Sequence, residues 1–164
     1  MPRKQTILIF EGTEGAGKTA IAKELAKMLN VPYYKDSYQG QLSPIIKQLW
    51  DYLKQTGQSV IIDRDFPSYW VYANYYNSPI DDKAVYEMDA VAASLNAKII
   101  LCFKDKFREY SDVVPIEANK KLKDLYIEFS GITNCKYLFL DTNEENLKNE
   151  LKAIVVWLLE QEKK

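Results

Sequence analysis

The sequence contains no histidine. No imidazole can serve as general base, nucleophile or metal ligand, which excludes Ser-His-Asp chemistry and histidine-ligated zinc. Cysteine is nearly absent. The two that occur, Cys102 and Cys135, each lie in an apolar strand-like run. They read as small core residues and not as a disulfide framework, so a reducing, cytoplasmic setting is expected. No apolar run is long enough to cross a bilayer, and no membrane contact is expected. The polar opening Met1-Pro2-Arg3-Lys4-Gln5-Thr6 leads directly into a strand, so no signal peptide is expected either. Charge of one sign is lacking too. A formal net charge of −1 supplies no basic face of the kind a nucleic-acid partner needs. There is no linker, internal repeat or low-complexity stretch, and 164 residues suffice for one domain with a real core.

Glycine is scarce as well, but three of the six fall together. Ile7-Leu8-Ile9-Phe10 runs straight into Gly12-x-x-x-x-Gly17-Lys18-Thr19, and Ile21, Ala22, Leu25, Ala26 and Leu29 then recur at helical spacing. Strand, glycine-rich loop and helix form the context in which a P-loop match carries meaning. A triphosphate must be wrapped closely by backbone N–H groups, and Gly12, Gly15 and Gly17 permit positive φ and close approach. The cradle is Gly12-Thr13-Glu14-Gly15-Ala16-Gly17-Lys18-Thr19. A helix starting near Lys18 turns its positive dipole end toward the phosphates. Lys18 is expected to reach the β- and γ-phosphates of ATP, and the Thr19 hydroxyl to ligate Mg²⁺.

Strand-like and helix-like patterns alternate along the chain. Strands are expected at Gln5–Phe10, Val31–Tyr34, Ser59–Ile62, Lys98–Phe103 and Lys136–Leu140. Helices are expected at Lys18–Asn30, from Ser43-Pro44 toward Gly57, from Pro67 to about Tyr76, and at Asp82–Leu95, Glu117–Phe129 and Asn146–Glu160. The alternation predicts a three-layer α/β/α domain with a five-stranded parallel sheet. Ligands of such sheets bind beyond the carboxyl ends of the strands, which directs attention to Glu11–Thr19, Lys35-Asp36, Asp63–Ser68 and Lys104–Arg108.

Val60-Ile61-Ile62 ends in Asp63, where P-loop enzymes place an acid that helps hold Mg²⁺. Arg64 follows at once, and its forked donors match phosphate oxygens. The aromatic run Phe66, Tyr69, Trp70, Tyr72, Tyr75 and Tyr76 supplies material for a base-stacking wall, with about half of it expected to be packing only.

Phe10-Glu11-Gly12-Thr13-Glu14-Gly15-Ala16-Gly17-Lys18-Thr19, together with Asp63-Arg64-x-x-x-Ser68-x-x-x-Tyr72, resembles the thymidylate kinase family of nucleoside monophosphate kinases. The resemblance covers the order of elements along most of the chain, and its specific matches are confined to these two stretches. It implies transfer of the ATP γ-phosphate to a deoxynucleoside monophosphate, a small-molecule acceptor, as a step of nucleotide biosynthesis. By that resemblance Arg64 binds both phosphate groups, Glu14 contacts the acceptor's sugar hydroxyl, and Phe66, Ser68 and Tyr72 line the base site. It also implies a homodimer through helices on one sheet face. Two regions depart from the family. Its Arg-Glu-Pro-Gly-Gly is replaced by Lys35-Asp36-Ser37-Tyr38-Gln39-Gly40, which keeps the basic-then-acidic order and loses the proline and paired glycines. Its lid is longer and richer in arginine than the segment near 104–114. The P-loop carries no arginine in its variable positions, so a lid cation, Arg108 or Lys106, is expected to compensate.

Other readings stay open on the residues alone. A deoxynucleoside kinase phosphorylates a neutral hydroxyl and profits from a carboxylate base, and Asp36 stands where one is needed. A modified pyrimidine monophosphate or a non-nucleotide acceptor also fits. A guanine-nucleotide switch would show Asn-Lys-x-Asp; the nearest string, Asn119-Lys120-Lys121-Leu122, lacks the acid. An inactive scaffold is opposed by intact Lys18, Thr19, Asp63 and Arg64.

Overall fold

The computed structural model describes residues 4–13, 15–36, 42, 44–104 and 116–164. Five strands, β1 (Ile7–Gly12), β2 (Tyr33–Lys35), β3 (Val60–Asp63), β4 (Lys98–Phe103) and β5 (Lys136–Asp141), pair in the order β2-β3-β1-β4-β5. Every pairing is parallel. The helices between them are α1 (Lys18–Leu29), α2 (Pro44–Thr56), α3 (Phe66–Tyr75), α4 (Asp82–Ser94), α5 (Ile116–Ser130) and α6 (Leu147–Glu162).

Alternate strand residues face opposite layers, as the pleat requires. Leu8 and Phe10 of β1, Ile61 of β3, and Ile100 and Cys102 of β4 pack with Ile21, Ala22 and Leu25 of α1 and with Leu151 and Ile154 of α6. Their neighbours Ile7, Ile9, Ile62, Ile99 and Leu101 share a cluster with α2, α3, α4 and α5, represented by Trp50, Trp70, Val85 and Tyr126. The central strands are therefore apolar throughout because both faces are covered. Cys102 and Cys135 are free thiols buried in these layers. Among the described residues no helix is long and apolar enough to cross a membrane.

Element boundaries move in ways that matter for function. The first strand starts later than Gln5 and runs on through Glu11 and Gly12, opposite Leu101 and Cys102 of β4. Gly12 has φ 145, and a Cβ there would run into the Cys102 carbonyl oxygen. Glycine at this place thus serves the approach of two strands, in addition to opening the loop. The third strand includes Asp63, in register with Phe10. Asp65 then accepts the Phe66 N–H and caps α3, so that helix opens at Phe66, one residue before the expected Pro67. Because β1 lies between β3 and β4, the ends of all three strands come side by side at one sheet edge.

Candidate active site

The loop after β1 curls through left-handed glycines, with φ 76 at both Gly15 and Gly17, and Gly17 is the N-cap of α1. Lys18 in the first turn of α1 pairs its Nζ with Asp63 Oδ1 at the end of β3. Thr19 Oγ1 donates to Asp63 Oδ2 at 2.8 Å, and the Tyr33 hydroxyl donates to the same oxygen at 2.6 Å. Burial pushes the Asp63 carboxyl up, but the bonds from Lys18, Tyr33 and Thr19 outweigh it and hold the group below its ordinary range. Burial, with the nearby Arg64 charge, lowers the Lys18 ammonium, and Asp63 opposes that shift.

Arg64 sits one residue beyond β3 with φ 72, its N–H bonded to the Phe10 carbonyl at 3.0 Å. This left-handed turn is costly for a residue with a side chain, and it brings the guanidinium back over the sheet edge. Arg64 Nη1 donates to Ser68 Oγ at 3.1 Å and to the Tyr126 hydroxyl at 3.0 Å. Its Cζ lies 5.4 Å from the centre of the Tyr72 ring. Behind these groups is Glu11, fully buried in β1. Glu11 Oε1 accepts the Asp65 N–H at 2.7 Å, and Oε2 accepts the Ser68 hydroxyl. Burial pushes the Glu11 carboxyl up to about 6, against the pull of Arg64 and the bonds from Ser68 and Asp65.

Lys18 and Arg64 open onto one cleft of about 500 Å³. Its walls are the loop residues Thr13 and Gly15–Thr19 with Ala20, then Lys35 and Asp36 beyond β2, and Tyr72 and Tyr76 of α3 and its end. Thr13 is buried, and its hydroxyl has no hydrogen-bond partner among the described residues. A second pocket of about 210 Å³ lies against the same loop and is bounded by Lys104, Thr142, Glu145, Leu147 and Glu150. Lys104 and Glu145 form an ion pair at its margin.

The expected site residues divide into four groups. Thr13, Gly15, Ala16, Gly17, Lys18, Thr19, Asp36, Arg64 and Tyr72 are brought to the cleft, with Asp63 reached through Lys18 and Thr19. Phe66 and Tyr69 are not. Phe66 is fully buried between the rings of Trp50 and Phe129, at 6.3 and 6.1 Å, and the Tyr69 hydroxyl accepts the Asp81 N–H in the core. Ser68 is buried under Arg64 and meets the site only through it. Glu14, Lys106 and Arg108 lie outside the described residues, as does all of the expected lid beyond Lys104. Two contributors, Tyr33 and Tyr126, were not anticipated, and a third, Glu11, was marked only as the start of the Glu11–Thr19 stretch, with no role of its own. Glu11 had a signal, a lone carboxylate inside an otherwise apolar strand. Tyr33 and Tyr126 had none, since each looks like an ordinary packing residue in its own element.

Asp65 adds a measurable signature. Its carboxyl is buried, accepts from Phe66 N and from Trp50 Nε1 at 3.1 Å, and is pushed up to about 7, chiefly by burial. In the unfolded chain it releases its proton near pH 4, whereas in the folded chain it keeps it to about 7. The folded state binds more protons in that window, so this group's contribution to stability falls as pH rises from about 4 to about 7. Asp65→Asn should therefore gain stability relative to wild type on going from pH 5 to pH 8. The ceiling between these two pH values is roughly 3 kcal/mol, since only the part of the shift above pH 5 is sampled. Urea denaturation of both proteins at the two pH values measures it, and an unchanged difference would contradict the assignment.

No family model matches the chain, and no curated protein does. Solved structures do match. The chain is similar to the YorR protein of Bacillus subtilis, solved in complex with phosphorylated GDP, at 20% identity and TM-score 0.70, covering 95% of this chain and 96% of that one. It is similar to thymidylate kinase from Ehrlichia chaffeensis at 14% identity and TM-score 0.62, covering 95% and 100%. It is also similar to deoxyadenosine kinase from M. mycoides, solved with dCMP and dCDP, at 17% identity and TM-score 0.56, covering 94% and 99%. The chain has the P-loop fold of these kinases. The likeness to thymidylate kinases and to deoxyadenosine kinase alike is one of fold.

Proposed function

We propose that the protein is an ATP-dependent nucleoside monophosphate kinase that passes the γ-phosphoryl group to a deoxynucleoside monophosphate, thymidylate or another pyrimidine. The observation that carries this reading is the single cleft onto which Lys18 and Arg64 both open. One cation belongs to the phosphate-cradling loop and the other to the neighbouring strand end, so an anion chain laid between them meets both.

The residues fit the reactants. Gly15 and Gly17 leave open space where a side chain would stand, and the Thr13 hydroxyl, unpartnered among the described residues, suits a phosphate or sugar oxygen. Thr19 and Asp63 present hard oxygen ligands side by side, the donor set Mg²⁺ takes in P-loop enzymes. When bound there, the metal neutralises charge on the β- and γ-phosphates. Tyr72 and Tyr76, stacked at 6.4 Å on the cleft wall, offer a surface for the acceptor base. The smaller pocket against the same loop is suited to the donor's nucleoside. A monophosphate oxygen is already anionic, so the reaction needs positioning and charge neutralisation and no strong base. The same reading includes a cytoplasmic setting and a homodimer, for which α2 offers the exposed Ile45 and Tyr52.

Asp36 also opens onto the cleft, and a neutral 5′-hydroxyl acceptor would use it as a base. One panel separates the two reactions. Purified protein with Mg²⁺–ATP is given each deoxynucleoside and each deoxynucleoside monophosphate, and ADP and product are followed. Turnover on monophosphates alone is expected. Turnover confined to nucleosides would assign the second reaction, and turnover on neither would overturn the kinase reading.

A further inference from the structure

Arg64 is held from behind by a buried relay that spans three elements. Glu11 belongs to β1, Ser68 to α3 and Tyr126 to α5, and all three are buried. The Glu11 carboxylate only accepts hydrogen bonds. Ser68 donates to its Oε2, and the Tyr126 hydroxyl lies 2.9 Å from Ser68 Oγ and 3.4 Å from the same carboxylate oxygen. Ser68 gives its one proton to Glu11, so Tyr126 donates across the 2.9 Å contact to Ser68 Oγ, and both hydroxyls present lone pairs in the opposite direction. There they meet the two N–H groups of Arg64 Nη1, at 3.1 Å from Ser68 and 3.0 Å from Tyr126. A planar guanidinium with one nitrogen tied twice cannot rotate about its own axis without breaking a bond.

We propose that Tyr126 is a positioning residue for the reaction, acting with Glu11 and Ser68 through Nη1 to hold the Arg64 guanidinium on the cleft. The relay makes α5 part of the site although it contributes no wall to the cleft. Burial raises the Tyr126 phenol well above its ordinary value, so it stays protonated as the relay requires. Removing its oxygen takes from Nη1 the acceptor at 3.0 Å in a buried place and loosens the orientation of the guanidinium. The Tyr72 ring still stabilises the charge but sets no azimuth.

The rate effect rests on the kinase reading; the binding effect rests on the cleft alone. Tyr126→Phe is expected to lower kcat about tenfold, the scale of one misdirected charge-bearing group, with KM for ATP nearly unchanged. The same substitution placed on Arg64→Ala should cost nothing further, because the group it positions is gone. Inorganic tetrapolyphosphate, one phosphate longer than the chain the loop and Lys18 would hold and so able to reach Arg64 across the cleft, is titrated calorimetrically into wild type, Tyr126→Phe, Arg64→Ala and the double variant and repeats the cycle without turnover. Weaker binding in Tyr126→Phe that disappears in the Arg64→Ala background supports the relay. An equal loss in both backgrounds, or none in either, overturns it. If Tyr126→Phe fails to fold, Ser68→Ala removes the other acceptor of Nη1 and is read by the same cycle. If wild type transfers no phosphoryl group, the kinase reading falls while the tetrapolyphosphate cycle still decides the relay.

Discussion

Arg64→Ala is expected to retain ATP binding and to lose about a thousandfold in kcat, the scale seen when an arginine serving the transferred phosphoryl group is removed. The geometry gives the reason. Arg64 stands across the cleft wall from the loop that would cradle the donor, and it is pinned by Ser68 and Tyr126. On the proposed reading its charge would act where donor and acceptor phosphates meet, and a preoriented charge counts for more there than one that must reorganise. On the proposed reading the donor's phosphates would be served mainly by backbone N–H groups of the loop and by Lys18, so KM for ATP should move little. Arg64→Lys should recover only part of the loss, because an ammonium cannot match a phosphate with a planar fork. Steady-state kinetics with saturating monophosphate measures the effect. Near-normal turnover in Arg64→Ala would remove the residue from the mechanism.

Lys18→Ala should bring transfer below detection and weaken the fold at the same time. Lys18 Nζ pairs with Asp63, whose side chain is completely buried. Deleting one member of a buried ion pair leaves an uncompensated carboxylate and costs about 3–5 kcal/mol. Thr19 and Tyr33 continue to donate to Asp63, so the lower end of that range is expected. The two losses have separate readouts: urea denaturation for the pair, single-turnover assays for the chemistry. Lys18→Ala combined with Asp63→Asn should regain stability without regaining turnover. Transfer at the wild-type rate in Lys18→Ala would discredit the phosphate cradle.

The fold was legible because its signals are local. Apolar runs of four to six residues alternate with helical stripes, and a parallel sheet covered on both faces is the arrangement that buries both kinds. Glycines followed by Lys18 and Thr19 marked the cradle, and Asp63-Arg64 marked the next strand end, because each pairing of residue types and element ends answers one chemical demand. The aromatic run after Arg64 was less legible. Spacing placed Tyr69, Tyr72 and Tyr76 on one face, yet Tyr69 is in the core while Tyr72 and Tyr76 line the cleft. Periodicity tells which side chains share a stripe and not where along the helix the core gives way to solvent.

By itself the sequence determined which residue types stand at the two strand ends and the sheet that carries them, since short-range pattern specifies both. Tertiary structure alone decided that Arg64 leans on a tyrosine 62 residues away, that Tyr33 shares Asp63 with Lys18 and Thr19, and that Phe66 and Tyr69 are packing. Such contacts depend on which helices the sheet brings together, and no single segment contains that information.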